Sequence, residues 1–174
     1  MGYQPMFSSR VCQVLHEEHA ATLALTERLG AFLKRHRVEP PSTDASITIR
    51  LLHDVSGAME TEVIRHFDFE EADLFSHLTA VGESAIGAHL TEEHEVMRPL
   101  ARELSRRARA AAANGFDEPG WQAFRHVAAD LCEQLQGHVQ KEEAVLLPLL
   151  EENLDAAMDA SLYDAYAGSA EAEP

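Results

Sequence analysis

His66 and Glu70 stand one helical turn apart in HFDFEEADLF (residues 66–75), and His138 and Glu142 stand the same way in HVQKEEAVLL (residues 138–147). An imidazole and a carboxylate at that spacing project from one face of a helix. Together they are a nitrogen and oxygen donor pair of the kind that holds a transition metal. Both pairs sit in the middle of an apolar stripe. At about 100° per residue, Leu52, Val55, Met59, Val63 and Leu74 share the first stripe. Phe124, Val127, Leu131, Leu135, Leu146 and Leu149 share the second. Burying an ionised carboxylate without compensation is prohibitive, so Glu70 and Glu142 need a neutralising partner. The bland alternative is a pair of buried polar networks without metal.

The two stretches are copies. Both read H-x-x-x-E-E-A-x-L-[FL]-x-x-L, at an offset of 72 residues. A weaker copy pairs EEHAATLALTERL with EEHEVMRPLAREL, which matches His19 with His94 and Leu25 with Leu100. Each of these histidines falls roughly 70° to one side of its own apolar stripe, near enough to reach inward. The chain therefore reads as a helical hairpin given twice.

Breakers set the helices. VEPPSTD (38–44) ends one segment and offers Ser, Thr and Asp caps to the next. AVGESA (80–85) has a glycine and a capping serine, Ser84. NGFDEPG (114–120) supplies a glycine stop, then Asp117 as N-cap with Pro119 in the first turn. Four segments remain, residues 8–37, 45–78, 84–113 and 118–151. Pro99 should kink the third or cost it a backbone hydrogen bond. Short loops between long helices predict an all-α, up-down-up-down antiparallel four-helix bundle over 8–151. Residues 152–174 form a short C-terminal helical tail, with Leu154, Met158, Leu162 and Tyr166 on one stripe and a frayed acidic end. At the usual rise per residue, the hairpins bring four histidines and two glutamates to one level of the core.

Bulk composition restricts the partners. The 174 residues carry a net charge of −16, so a nucleic-acid backbone or an anionic membrane surface is repelled. Two cysteines, Cys12 and Cys132, give no disulfide framework, and with no signal-peptide core or membrane span the expected location is the cytoplasm.

The pattern EEH, H-x-x-x-E-E, EEH, H-x-x-x-E-E resembles the hemerythrin-like (HHE cation-binding) domain family over nearly all of 8–151. The resemblance implies a non-haem di-iron centre with two iron ions, oxo- or hydroxo-bridged when oxidised. His19, His66, His94 and His138 would be terminal ligands, and Glu70 and Glu142 bridging carboxylates. It implies a protein that binds or senses a small ligand (dioxygen, nitric oxide or peroxide) or handles iron under oxidative or nitrosative stress. The alternatives are an enzyme that decomposes peroxide or reduces nitric oxide, and an iron-responsive regulatory module. Oxygen-carrying members have a histidine where this chain has Leu90, so one iron should be less tightly enclosed. They also end in H-x-x-x-x-D, whereas here Glu142 and Glu143 compete; Glu143 lies about 100° off the stripe, which favours Glu142. His89 reads as a surface histidine or a fifth ligand, His16 as solvated and His77 as a capping residue on the metal face. Glu71 and Glu143 read as solvated or as partners that orient the histidines. Without metal, Glu70 and Glu142 should have raised pKa values. No tyrosine lies on an inward stripe, since Tyr3, Tyr163 and Tyr166 are near the termini.

Overall fold

The structure is a computed structural model that describes residues 7–43 and 45–171, so Tyr3, the cap position Asp44 and the frayed end at 172–174 lie outside it. The described residues are helical throughout apart from short connections, with no strand among them. Helix α1 (Arg10–Arg35) forms the first rod. The second rod is α2 (Ser46–Gly57), α3 (Val63–Phe69) and α4 (Phe75–Ala80), joined without interruption by π-helical turns at Ala58–Glu62 and Glu70–Leu74. The third is α5 (Ser84–Asn114). The fourth is α6 (Glu118–Lys141) and α7 (Leu147–Asn153), joined by a π turn at Glu142–Leu146. A fifth helix, α8 (Ala156–Glu171), packs on α1.

The boundaries follow local chemistry, with exceptions. Asp117 accepts from the Gly120 amide at 2.8 Å and opens α6, and Gly115 closes α5 at φ 78°. Ala45 and Glu83 hold the N-cap positions of the second and third rods and make no side-chain cap bond, so Ser84 is the first residue of α5 and not its cap. Helix α5 runs through Pro99 unbroken. Both Pro99 and Glu95, whose carbonyl loses its amide partner, face solvent, so water can take the lost bond.

The π turns were not readable from a regular helical wheel. Two of them begin at Glu70 and Glu142. There the Phe75 and Leu147 amides reach five residues back, to the Glu70 and Glu142 carbonyls. Such turns hold one extra residue and recur at functional sites. The extra residue turns the following helix, so the buried positions become Phe75 and Leu78 in one copy and Leu147 and Leu150 in the other. His77 and Leu149, expected on the inner face, are consequently only half-buried. Pro148 cannot be the cause, because Ser76 holds the matching place in the first copy and the turn forms there too.

The core is two apolar halves. Trp121, Phe124, Leu104, Leu52 and Leu131 lie in one, and Leu15, Leu74, Leu90, Leu146 and Leu150 in the other. Between them runs a layer of six buried polar residues.

Helix α8 is more than a tail. Asp155 caps it by accepting from the Ala157 and Met158 amides at 3.0 and 2.8 Å. Leu162 and Tyr166 are buried, Leu154 is half-buried and Met158 is exposed, so the expected stripe holds only in its second half. Asp159 accepts from the Arg10 and Val11 amides at 2.9 and 3.0 Å and from the Ser9 hydroxyl at 2.7 Å. Those amides are first-turn donors of α1 with no partner inside that helix. Negative charge there also suits the helix dipole. Asp159→Ala should cost about 1–2 kcal/mol, or roughly 2–8 °C of melting temperature at this size. Thermal denaturation followed by circular dichroism reads it, and an unchanged midpoint would show that α8 does not stabilise α1.

Candidate metal centre

The polar layer is built from both hairpins. His19 comes from α1, His66 from α3, His94 from α5 and His138 from α6, and Glu70 and Glu142 open their π turns. All six are buried, Glu70, His94 and Glu142 completely. Glu70 directs one carboxylate oxygen to His66 Nε2 at 3.3 Å and the other to His94 Nε2 at 3.4 Å. Glu142 does the same toward His138 Nε2 at 2.9 Å and His19 Nε2 at 3.0 Å. The histidines face each other in pairs, His19 with His66 at 3.3 Å and His94 with His138 at 3.0 Å between Nε2 atoms. Two donor clusters result, His19/His66/Glu70/Glu142 and His94/His138/Glu70/Glu142, which share both carboxylates.

Outer carboxylates fix where the protons are. Each Nδ1 faces a glutamate: His19 to Glu143 at 2.6 Å, His66 to Glu18 at 2.9 Å, His94 to Glu71 at 2.8 Å and His138 to Glu93 at 2.9 Å. Burial raises the pKa of Glu18, Glu93 and Glu143, but hydrogen bonds from histidine and other donors outweigh it, and all three are lowered. An ionised carboxylate only accepts, so each Nδ1 donates to it. A neutral imidazole then presents its bare Nε2 lone pair inward. The inner layer thus holds four nitrogen lone pairs and four carboxylate oxygens, and those four oxygens have no hydrogen-bond donor. Buried acceptors without donors cost several kcal/mol each. Cations resolve the conflict, and nitrogen and oxygen donors of this type suit iron.

Protons are the competitor. Burial lowers the pKa of His66, yet the Glu70 charge and the Glu18 bond outweigh it and raise it well above the usual histidine value. Glu70 moves the opposite way from expectation. Burial raises its pKa, but His66 and His94 pull it well below the usual carboxylate range. The His66 and His94 imidazoles, not the neighbouring carboxylate, dominate its surroundings.

The surroundings of the clusters differ. A cavity of about 390 Å³ reaches His19, His66, His138 and Glu142, with exposed Glu17 and Ala21 at its rim. Phe67, which also lines this cavity, stacks on His94 with centroids 3.9 Å apart and planes at 12°, and the Phe75 ring stacks on His94 at 5.9 Å. Leu90 is fully buried. The position lacking a histidine is therefore sealed by hydrocarbon, and the cavity reaches both histidines of the first cluster but only His138 of the second.

His89 is half-exposed, 3.4 Å from Glu93 and away from the clusters. His16 is not simply solvated, since its Nδ1 meets Glu143 at 2.9 Å. Glu71 and Glu143 orient His94 and His19. Sequence reasoning missed Glu18 and Glu93, although the EEH motif places each directly before an inward histidine. It also missed Tyr166, whose hydroxyl bonds Glu18 from α8. No periodicity inside the four rods could reveal that contact.

A search of curated proteins finds no match to this chain. The family model described as the hemerythrin HHE cation binding domain matches residues 11–150, and again 89–167, which contain the second EEH and H-x-x-x-E-E motifs. With that match spanning most of the sequence and a buried layer of histidines and glutamates at its centre, the chain belongs to the hemerythrin HHE cation-binding domain family.

Proposed function

We propose that this chain is a non-haem di-iron protein that binds or senses dioxygen, nitric oxide or peroxide, with His19, His66, His94 and His138 as terminal ligands and Glu70 and Glu142 as bridges. The observation that carries this reading is the division of each carboxylate between two histidine pairs, one oxygen to each. A single ion would leave half of those donors uncompensated. The bound irons would supply redox chemistry and open positions for a small ligand. The chain's own part is to hold the rings, through the four outer glutamates, and to control access. Its cavity, walled by Val14, Val63, Leu135 and Val139, admits small molecules on the His19/His66 side. Peroxide turnover is the second reading, favoured by Glu17 and Arg65, which add two further charged groups to the cavity that His19, His66, His138 and Glu142 line.

The test is reconstitution with ferrous iron under anaerobic conditions, metal analysis and a visible spectrum. About two irons per chain are expected. Dioxygen should then produce a spectrum that persists when the gas is removed, because a cavity this size admits water along with the ligand. Recovery of the colourless protein over repeated cycles would favour reversible carriage. One iron per chain, or a single zinc at full occupancy, would defeat the di-iron reading.

A further inference from the structure

The two inner layers of the centre follow the internal repeat. Glu70 matches Glu142, and the outer pairs Glu18–His66 and Glu71–His94 match Glu93–His138 and Glu143–His19. The next layer outward does not. Glu143 is held by His16, Glu71 by Arg98 at 2.9 Å and Glu93 by Lys141, all from the four rods. Glu18 is held by Arg65 at 2.9 Å and, in addition, by the Tyr166 hydroxyl from α8.

Tyr166 is placed for this contact by packing against Phe69 and Arg65. Its ring is buried, lies 4.5 Å from the Phe69 ring and carries the Arg65 guanidinium 4.4 Å above it. Burial and the Glu18 carboxylate raise its pKa, so the phenol keeps its proton and donates. The Glu18 Oε2 atom that accepts from Tyr166 is the same one that accepts from His66 Nδ1. Rotation of that carboxylate would release both bonds together. Glu18, Arg65 and His66 also line the cavity, so this is the one ring-holding glutamate that the described residues place both at the accessible side and under α8.

We propose that Tyr166 is a positioning residue for the metal held by His19 and His66, acting through Glu18, so that docking of α8 sets the affinity of one of the two metal positions and leaves the other alone. The inference rests on the di-metal reading above. It makes the fifth helix a working part of the centre and gives the two metal positions different dependence on the same chain.

The test loads the full chain anaerobically with cobalt(II), whose visible absorption reports its ligands, and follows release of each ion to excess chelator. Tyr166→Phe keeps the ring and removes the hydroxyl. One of the two ions should leave about tenfold faster, in the range typical of lost outer hydrogen bonds, and the other at the wild-type rate. Glu18→Gln should speed release of the same ion, and adding Tyr166→Phe to it should change release no further. Tyr163→Phe, whose ring lies 3.6 Å under Arg10 and away from Glu18, should match wild type. The chelated Tyr166→Phe protein should melt within roughly 2–4 °C of the chelated wild type, the cost of one hydrogen bond. Equal acceleration of both ions would mean a general loosening and would overturn the proposal. So would release unchanged from wild type. A wild-type chain that takes up fewer than two ions overturns the di-metal reading and this inference with it, whereas two ions with an indifferent Tyr166→Phe variant overturn this inference alone.

Discussion

Chelating the metal should lower the melting temperature by roughly 8–16 °C. A ligand present at a thousandfold its dissociation constant stabilises the folded state by about 4 kcal/mol, and each kcal/mol is worth roughly 2–4 °C in a chain of this length. The structural reason is the set of donor-less oxygens on Glu70 and Glu142 at the junction of the two apolar halves. Without metal, protons do part of the work, since His19, His66 and His138 all have raised pKa values despite burial. A raised histidine stabilises the chelated protein fully below the unfolded value of about 6.5 and loses that contribution as pH rises through the folded value. The metal-loaded form needs bare imidazoles and gains as pH rises. The gap between the two melting curves should therefore widen from pH 6 to pH 8. Calorimetry with and without chelator measures it, and coincident curves at both pH values would show that the centre contributes nothing to folding. Replacing Glu70 by Gln should narrow the gap, because the amide removes charge the metal needs.

Glu142→Ala should bring iron content to one per chain or fewer. The substitution removes the oxygens that face His19 and His138, so both clusters lose a donor at once. Loss of an inner donor should exceed the ~10–100-fold that outer hydrogen-bond partners are worth. Glu143→Ala, one residue on, removes only the support behind His19 and should retain both irons with weaker affinity. Anaerobic titration with ferrous iron separates the two variants. Two tightly bound irons in Glu142→Ala would show that Glu143 had taken the bridging place, which the sequence alone left as the competing choice.

The contrast between those two glutamates shows what the sequence makes legible. The fourth rod is regular up to Glu142, and the second still buries Met59, Val63, His66 and Glu70 despite its π turn at Ala58–Glu62, so the inward positions of His66, Glu70, His138 and Glu142 could be read from the apolar residues around them. Beyond those glutamates the wheel runs one residue out of step, because a π turn adds a residue that propensities do not announce. His77 and Leu149 were placed inside for that reason, and Phe75 and Leu150 are the residues found there. The outer glutamates were half-visible: Glu71 and Glu143 could be suspected from their place beside a ligand, while Glu18 and Glu93 required knowing which neighbouring rod each histidine ring faces. Tyr166 was hidden because its contact spans 148 positions of chain. The enclosure of the Leu90 side was misjudged since a missing donor was taken for an opening, and Phe67, Phe75 and Leu90 fill that space instead.

The contact of Asp159 with the start of α1 has a consequence for the order in which this protein is made. Ribosomes deliver the chain from its N-terminal end, and segments begin to fold as they emerge. Helix α1 is delivered before α8, yet the carboxylate that satisfies its Arg10 and Val11 amides belongs to α8. Until residue 159 is available, those two amides must be served by water, and the Ser9 hydroxyl, accepting from the Cys12 amide at 3.3 Å, is left to cap the first turn of α1. His19 lies between two and three turns further along the same rod. A nascent chain can thus form the second hairpin around His94 and His138 while the beginning of the first is still open. Docking of α8 thus adds the last bonds at the start of the rod that carries His19.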